Sequence, residues 1–236
     1  MAHLTQRKLI PKLMEDPTAD RSELTRAMAY LRGMNLRSGR TRALVSYLQR
    51  QAPGWPKDQP IRLIDVGTGS ADIPLAAVNW AKQTGHDLHV TGIDVHATIL
   101  DIAREFIGDQ IKIKLVIANA LRLMDHFEPG SFDYAHAGMF LHHLCDIEVM
   151  TVLRIMDRLS TRAVIWNDQL RGVAGQIGVR LLTLGAPKMV KHDEVVSVAM
   201  GFTRREAIAL ARRADLKKPT CRSHLLQHFT LISEKT

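Results

Sequence analysis

A chain of 236 residues with a net charge of +8 suits one sizeable domain with an added cap, and at this size folding buries roughly 70–75% of the extended surface without covalent staples. Two cysteines, Cys145 and Cys221, exclude a disulfide framework and fit a reducing compartment. The opening MAHLTQRKLIPKLMEDP has no long apolar core like that of a signal peptide, and no apolar run approaches the roughly 20 residues that cross a bilayer, so a cytoplasmic protein is expected.

The charge is unevenly placed. Residues 1–50 hold ten Lys/Arg against four Asp/Glu, residues 51–169 ten against fifteen, and residues 170–236 twelve against five. Basic flanks thus enclose an acidic middle. Such flanks are most simply a solvated surface, but they also suit weak contact with an anionic membrane surface or an acidic carrier. Aromatic residues are only 5% and are not interleaved with the basic ones, which argues against a stacking platform for single-stranded nucleic acid.

In chain order, residues 1–18 read as loose, with breaks at Pro11 and Pro17. Asp20, followed three residues later by Glu23, marks a helix start. Leu24, Ala27, Met28 and Leu31 follow at helical spacing, and Met28, Leu31 and Met34 read first as cap core. Gly33 and Ser38-Gly39 predict a break. Leu44, Tyr47 and Leu48 predict a second helix, ended near Pro53-Gly54-Trp55-Pro56. Residues 1–57 are therefore expected to form an N-terminal helical cap and residues 58–236 the main domain.

Strands and helices then alternate. Strands are predicted at 61–66, 88–94, 111–117, 132–137 and 162–167, with helices at 71–83, 97–107 and 145–159 and a short one near 121–126. This rhythm predicts a parallel sheet with helices on both faces. Residues 170–200 interrupt it with a helical stretch, 177–184, and a polar loop, an insert placed to cover a substrate. Thr203 with Glu206 starts another helix, to Ala214. Strands at 217–222 and 226–232 close the sheet as a hairpin. The expected class is α/β, a seven-stranded sheet, mostly parallel with an antiparallel last strand, flanked by helices.

Four features sit at the carboxyl ends of successive strands, where open α/β sheets bind ligands. In LIDVGTGSADIPLA, residues 63–76, an apolar strand enters Asp65-Val66-Gly67-Thr68-Gly69 and passes straight into a helix. Such a turn lets bare backbone approach a nucleotide. Asp94, ending the second strand beside Val95, offers a carboxylate to both hydroxyls of a ribose. Asn119-Ala120 follows the third strand, where an amide can read a base edge and a small neighbour leaves room for the ring. Gly138-Met139-Phe140-Leu141-His142-His143-Leu144 follows the fourth.

Together these features resemble the class I S-adenosylmethionine-dependent methyltransferases, over roughly residues 60–236. The family pattern is an acid followed by Gly-x-Gly-x-Gly. Here Asp65, Gly67 and Gly69 match, and Ala71 replaces the third glycine. Asn119 stands where Asp is more usual and can still accept from an adenine amino group. Ile73-Pro74-Leu75 and Leu141-His142-His143-Leu144 look like the small-molecule, quinone-biosynthesis branch. Asn167-Asp168, Lys191-His192-Asp193 and Ser197 look like a subgroup acting on phenolic or polyketide-like products.

The resemblance implies a Rossmann-like sheet and S-adenosylmethionine as cofactor, leaving as S-adenosylhomocysteine. It implies a cofactor site of Asp65, Gly67, Thr68, Gly69, Asp94, Val95, Asn119, Ala120 and Gly138, with Asp65 supporting the loop and meeting the methionine ammonium. Met139, Asn167 and His192 are expected to meet the acceptor. His142 or His143 can assist proton removal from a phenol, since His titrates near ~6.5 and a phenol near ~10. Asp168 and His192 are rival bases, and alignment alone can lower a barrier by roughly 7 kcal/mol. No metal is expected, because adjacent histidines do not readily share one ion and no Cys or Glu sits at ligand spacing.

The expected function is methyl transfer to a small hydroxylated aromatic acceptor, with oxygen favoured. Alternatives are a quinone ring carbon, a carboxylate, a nucleic acid, or a binding module without turnover. Asp72, three residues after Gly69, disfavours a dinucleotide oxidoreductase, since that fingerprint needs a small residue there and an acid opposes a pyrophosphate. No Asn-Pro-Pro-Tyr-type segment follows the fourth strand, so a nucleic-acid partner is not expected. The oligomeric state stays open.

Overall fold

The computed structural model describes residues 7–16, 18–224 and 228–235. Pro17 and the first two residues of the expected last strand, Leu226 and Gln227, lie outside the described residues. Seven strands form one sheet in the order β3-β2-β1-β4-β5-β7-β6. They are β1 (Ile61–Val66), β2 (Leu88–Asp94), β3 (Ile113–Ile117), β4 (Phe132–Gly138), β5 (Ser160–Gln169), β6 (Thr220–His224) and β7 (His228–Glu234). β7 lies between β5 and β6 and runs antiparallel to both, while the pairs among β1 to β5 are parallel. The Rossmann-like α/β sheet expected from the alternation is therefore the fold.

Side-chain alternation explains why both faces are covered. Along β1, Ile61 and Leu63 pack in one cluster with Leu44 and Leu48 of α2 (Arg40–Gln51) and Ala77 and Val78 of α3 (Asp72–Gln83). Ile64 and Val66 face the other way. They join Val149 and Leu153 of α5 (Asp146–Leu159) and Leu210 of a later helix, Arg204–Arg213. The chain runs outward from β1 to β3, then returns to β4 on the other side of β1. That reversal opens a crevice at the carboxyl ends of β1 and β4.

The cap differs from expectation at one glycine. Helix α1 (Arg21–Ser38) starts as read, with the Asp20 side chain accepting from the N–H groups of Ser22 and Glu23. It then runs through Gly33 and ends at Gly39, whose φ of +80° stops it. An internal glycine costs a helix only about 1 kcal/mol relative to alanine. Packing of Leu24, Ala27 and Met28 against Ile99 and Ile102 of α4 (Ala97–Ile107) outweighs that cost.

Two further expectations are corrected. In the insert, α6 (Val173–Leu182) is followed by a second helix, α7 (Lys188–Met200), where a polar loop was read. Its acids are buried and partnered by distant residues. Asp193 accepts from the N–H groups of Leu13 and Met14, both at 2.9 Å, and Glu194 pairs with Arg40 at 3.3 Å. The described part of the N-terminal segment is likewise held in place. Arg7 ion-pairs with Asp146, donates to the Leu144 carbonyl at 2.7 Å and lies over the Phe202 ring. Lys12 is only 7% exposed. The last helix, α8 (Arg204–Arg213), has the expected capping box of Thr203 and Glu206.

Candidate functional site

The glycine turn is built by close approach. The N–H groups of Gly67 and Thr68 both donate to the Ile93 carbonyl at 2.8 Å, tying the turn to the end of β2. Gly67 has φ +72°, and a Cβ there would lie 2.2 Å from the Phe140 ring. Glycine is therefore required at this position by both conformation and space. Gly69, at φ +54°, has open space where its Cβ would stand. Its N–H donates to Asp94 Oδ2 at 3.0 Å. Ala71, in the third glycine's place, also takes a left-handed φ of 56°, at a cost of about 1–2 kcal/mol.

A cavity of about 480 Å³ opens over this turn. It joins Gly67, Thr68, Gly69, Asp94 and Val95 to Gly138 and Met139 after β4. A smaller pocket of about 140 Å³ adjoins it, lined by Ala118, Asn119 and Ala120 and sharing Phe140 and Asp94 with the larger one. Asp94 accepts from the N–H groups of Gly69 and His96, two of the roughly four acceptor positions of a carboxylate. The Thr68 hydroxyl is buried in the cavity wall with no partner among the described residues. Asn119 Oδ1 accepts from the Leu121 N–H at 2.9 Å, capping the turn after β3.

Not every expected residue faces the cavity. Asp65 is 3% exposed, stands directly opposite His136 in the β1–β4 register, and takes a 2.5 Å hydrogen bond from its Nδ1. Asp72, at the start of α3, lines the cavity instead. It accepts from Asn35 Nδ2 at 3.0 Å and from the Ser70 hydroxyl at 3.1 Å. Burial raises its pKa, against those two hydrogen bonds. Asn167 is fully buried and donates to the Arg40 carbonyl at 3.1 Å. His192 is on the exposed side of α7, bonded to Asp193, and does not line the cavity.

The opposite wall is a side-chain network. The Lys12 ammonium donates to His142 Nε2 at 2.9 Å and to His143 Nε2 at 3.0 Å. Behind His142, Nδ1 donates to Asp168 Oδ1 at 2.6 Å; behind His143, Nδ1 donates to Glu15. Asp168 also receives the His142 N–H at 3.1 Å, Trp166 Nε1 at 3.0 Å and the Gln169 N–H at 2.8 Å. Burial pushes the Asp168 carboxyl up, but His142 and these hydrogen bonds outweigh it and hold it at about 2. Burial drives His142 well below its ordinary value, with Lys12 adding to the effect and Asp168 opposing it. His143 is lowered by the same two causes, opposed by Glu15. Burial also lowers Lys12 to about 8, against the pull of Glu194, Glu15, Asp193 and Asp168.

Three residues of this wall carried no signal in the sequence. Lys12 and Glu15 lie in the segment read as loose, and Arg40, buried against Gln169 at 2.8 Å and Glu194, sits at the start of α2. Met28 and Leu31 line the cavity as well as the cap core. A separate groove of about 770 Å³ lies between α2 and the β6–β7 hairpin, lined by Arg42, Arg50, Lys217, Lys218 and Arg222. It lacks the glycine turn, His142 and His143, and is lined instead by His224 and His228.

Residues 63–162 match the family model described as a methyltransferase domain. The chain is 31% identical over 112 residues to the demethylmenaquinone methyltransferase of Listeria welshimeri, covering 44% of this chain and 46% of that one. It thus spans less than half the length of that curated relative. Among solved structures, the plantazolicin methyltransferase superposes with a TM-score of 0.64 at 11% identity, covering 92% of this chain and 97% of that one. Human N-acetylserotonin methyltransferase gives 0.64 at 11% identity, covering 96% and 60%. These likenesses establish the fold. No helix among the described residues is long and apolar enough to cross a membrane.

Proposed function

We propose that this chain, which carries a matched methyltransferase domain on a class I methyltransferase fold, transfers a methyl group from S-adenosylmethionine to a small hydroxylated aromatic acceptor, with oxygen the favoured atom. The observation that carries the reading is the shared cavity. It brings the glycine turn and Asp94 to one side and the His142-His143 segment to the other.

The residues present fit the cofactor. Asp94 keeps acceptor capacity for the ribose hydroxyls. The unpartnered Thr68 hydroxyl and the open face of Gly69 suit the methionine part. Ala118 and Ala120 line the small pocket of about 140 Å³, which suits an adenine ring, and Asn119 lines it beside them. Asp72 reaches the cavity where Asp65 does not, so Asp72 is assigned to the methionine ammonium and Asp65 to holding His136. When bound, the cofactor supplies a methyl group on a positively charged sulfur. The chain's own part is alignment of the acceptor, exclusion of water by Met28, Leu31, Met139 and Phe140, and custody of the acceptor's proton.

Calorimetric titration of S-adenosylhomocysteine, beside NAD, into wild type and Asp94→Ala tests the cofactor half. Binding of the first ligand alone, lost in the variant, is expected. Binding of NAD, or of neither, overturns the reading. A screen of phenols and quinols, with demethylmenaquinone among them because the curated relative is named for it, then tests the acceptor half.

A further inference from the structure

We propose that Lys12 is a catalytic residue that takes the proton of the acceptor's hydroxyl and holds the resulting oxyanion, which makes phenols and quinols with an ionisable ring hydroxyl the substrate class. This rests on the methyl-transfer reading above. Lys12 lines the cavity, as do the two histidines that hold it.

The geometry fixes what Lys12 offers. A carboxylate on each Nδ1 keeps both imidazoles in the tautomer that carries its hydrogen there. Both Nε2 lone pairs therefore point at one amine, at 2.9 and 3.0 Å. Neither histidine has a lone pair left for a substrate. An unprotonated lysine has two N–H groups and one lone pair. With both N–H groups on the imidazoles, the lone pair is the remaining corner. In the ammonium, that corner is a third N–H, which has no acceptor among the described residues.

The surrounding charges sharpen this. The groups facing Lys12 are Glu15 on its own segment, His142 and His143 after β4, Asp168 on β5, and Asp193 and Glu194 on α7. Each carboxylate is engaged elsewhere: Glu15 by His143, Asp168 by His142, Asp193 by the Leu13 and Met14 N–H groups, Glu194 by Arg40. None hydrogen-bonds Lys12. The amine thus has neutral imidazoles as direct neighbours and no bound counterion, and an oxyanion in the cavity completes it.

The step balances. The acceptor O–H gives its proton to the Lys12 amine. An oxygen lone pair then forms the bond to the methyl carbon as the carbon–sulfur bond breaks, its electron pair staying on sulfur. A methyl ether and a thioether result, and Lys12 returns the proton to water. Burial brings Lys12 to about 8, close enough to a phenol near ~10 for transfer within a polar pair. His142 and His143 are positioning residues in this scheme.

The test is spectroscopic. Para-nitrophenol, whose anion absorbs visible light, is added to wild type saturated with S-adenosylhomocysteine, at a pH below the phenol's own pKa. The anion band is expected to grow on binding, with the bound phenol's pKa lowered by about one unit, a tenfold shift toward the anion. Lys12→Met is expected to bind S-adenosylhomocysteine and lose the band. Lys12→Gln replaces it if the apolar variant does not fold. Lys12→Arg is expected to keep the band, as a fixed cation, but to lose turnover of phenols, because it cannot take the proton. Wild type that binds S-adenosylhomocysteine without a band, or a neutral variant that keeps the band, overturns the role of Lys12. Failure of wild type to bind S-adenosylhomocysteine overturns the methyl-transfer reading itself.

Discussion

The two walls of the cavity are held by different kinds of interaction. Around the glycine turn, backbone N–H groups meet the Ile93 carbonyl and the Asp94 carboxylate, all within one β-α-β unit. Around Lys12, charged side chains of the Lys12 segment, the turn after β4, the end of β5 and helix α7 bind one another and, through Asp193, the backbone of the Lys12 segment. The first wall exists as soon as β1 and β2 pair. The second exists only when elements more than 100 residues apart have docked. The second therefore carries more buried charge and is more exposed to single substitutions and to pH.

Asp168→Ala is the largest expected break. It strands four donors at once: the His142 N–H and Nδ1, Trp166 Nε1 and the Gln169 N–H. Removing one partner of a buried charged network costs about 3–5 kcal/mol, read as a lowered urea midpoint. Affinity for S-adenosylhomocysteine, measured on the folded fraction by calorimetry, is expected to hold. Asp94→Ala is the mirror image. Two lost hydrogen bonds to a charged group, at about 1.5 kcal/mol each, weaken S-adenosylhomocysteine on the order of 100-fold, with a smaller loss of stability. If both variants lose both properties equally, the two walls are one cooperative unit and the contrast fails.

The pH dependence sharpens the same contrast, because Lys12 and Asp168, both strongly shifted, lie on the Lys12 wall. Lys12 has its folded pKa lowered from 10.5 to about 8. Between those values the unfolded chain holds the proton and the folded one does not, so stability rises with pH across the window. The gain is about 3 kcal/mol at most. Asp168 has its folded pKa lowered from 3.8 to about 2. Its contribution is present above pH ~4 and is lost as pH falls toward 2, by about 2 kcal/mol. Urea unfolding of wild type and Lys12→Met at pH 8 and 10.5 checks the first: the gap should move in favour of wild type at the higher pH. An unchanged gap means that Lys12 titrates as a solvated lysine.

The same division governs what the sequence could reveal. The bounds of β1, β2 and α4 follow from local signals: apolar runs, a glycine turn, a residue in position to cap. The position of Asp94 beside the glycine turn was legible because it depends on the end of a strand and on a turn 25 residues before it. Which of Asp65 and Asp72 reaches the cavity was not. It depends on β1 placing Asp65 directly across from His136 on β4, and nothing in the glycine motif encodes that register. Helix α7 was missed because Asp193 and Glu194 read as solvated until Leu13, Met14 and Arg40 are seen to partner them. Lys12 and Glu15 sit in a short segment with no periodicity, and only the docked histidines give them a role.

The smallest expected effect concerns His192, a residue the sequence resemblance places at the acceptor. Its ring projects from the exposed side of α7 and holds Asp193 Oδ1 at 2.8 Å. Asp193 keeps the Leu13 and Met14 N–H groups without it, so the segment that carries Lys12 should stay docked. His192→Ala is therefore expected to leave both S-adenosylhomocysteine affinity and the KM for a phenolic acceptor within about twofold of wild type, as for an ordinary surface substitution. Steady-state kinetics at fixed cofactor decides the matter. A KM raised tenfold with kcat unchanged would mean that α7 moves on acceptor binding and brings His192 inward, and the Lys12 wall would then be a mobile cover rather than a fixed one.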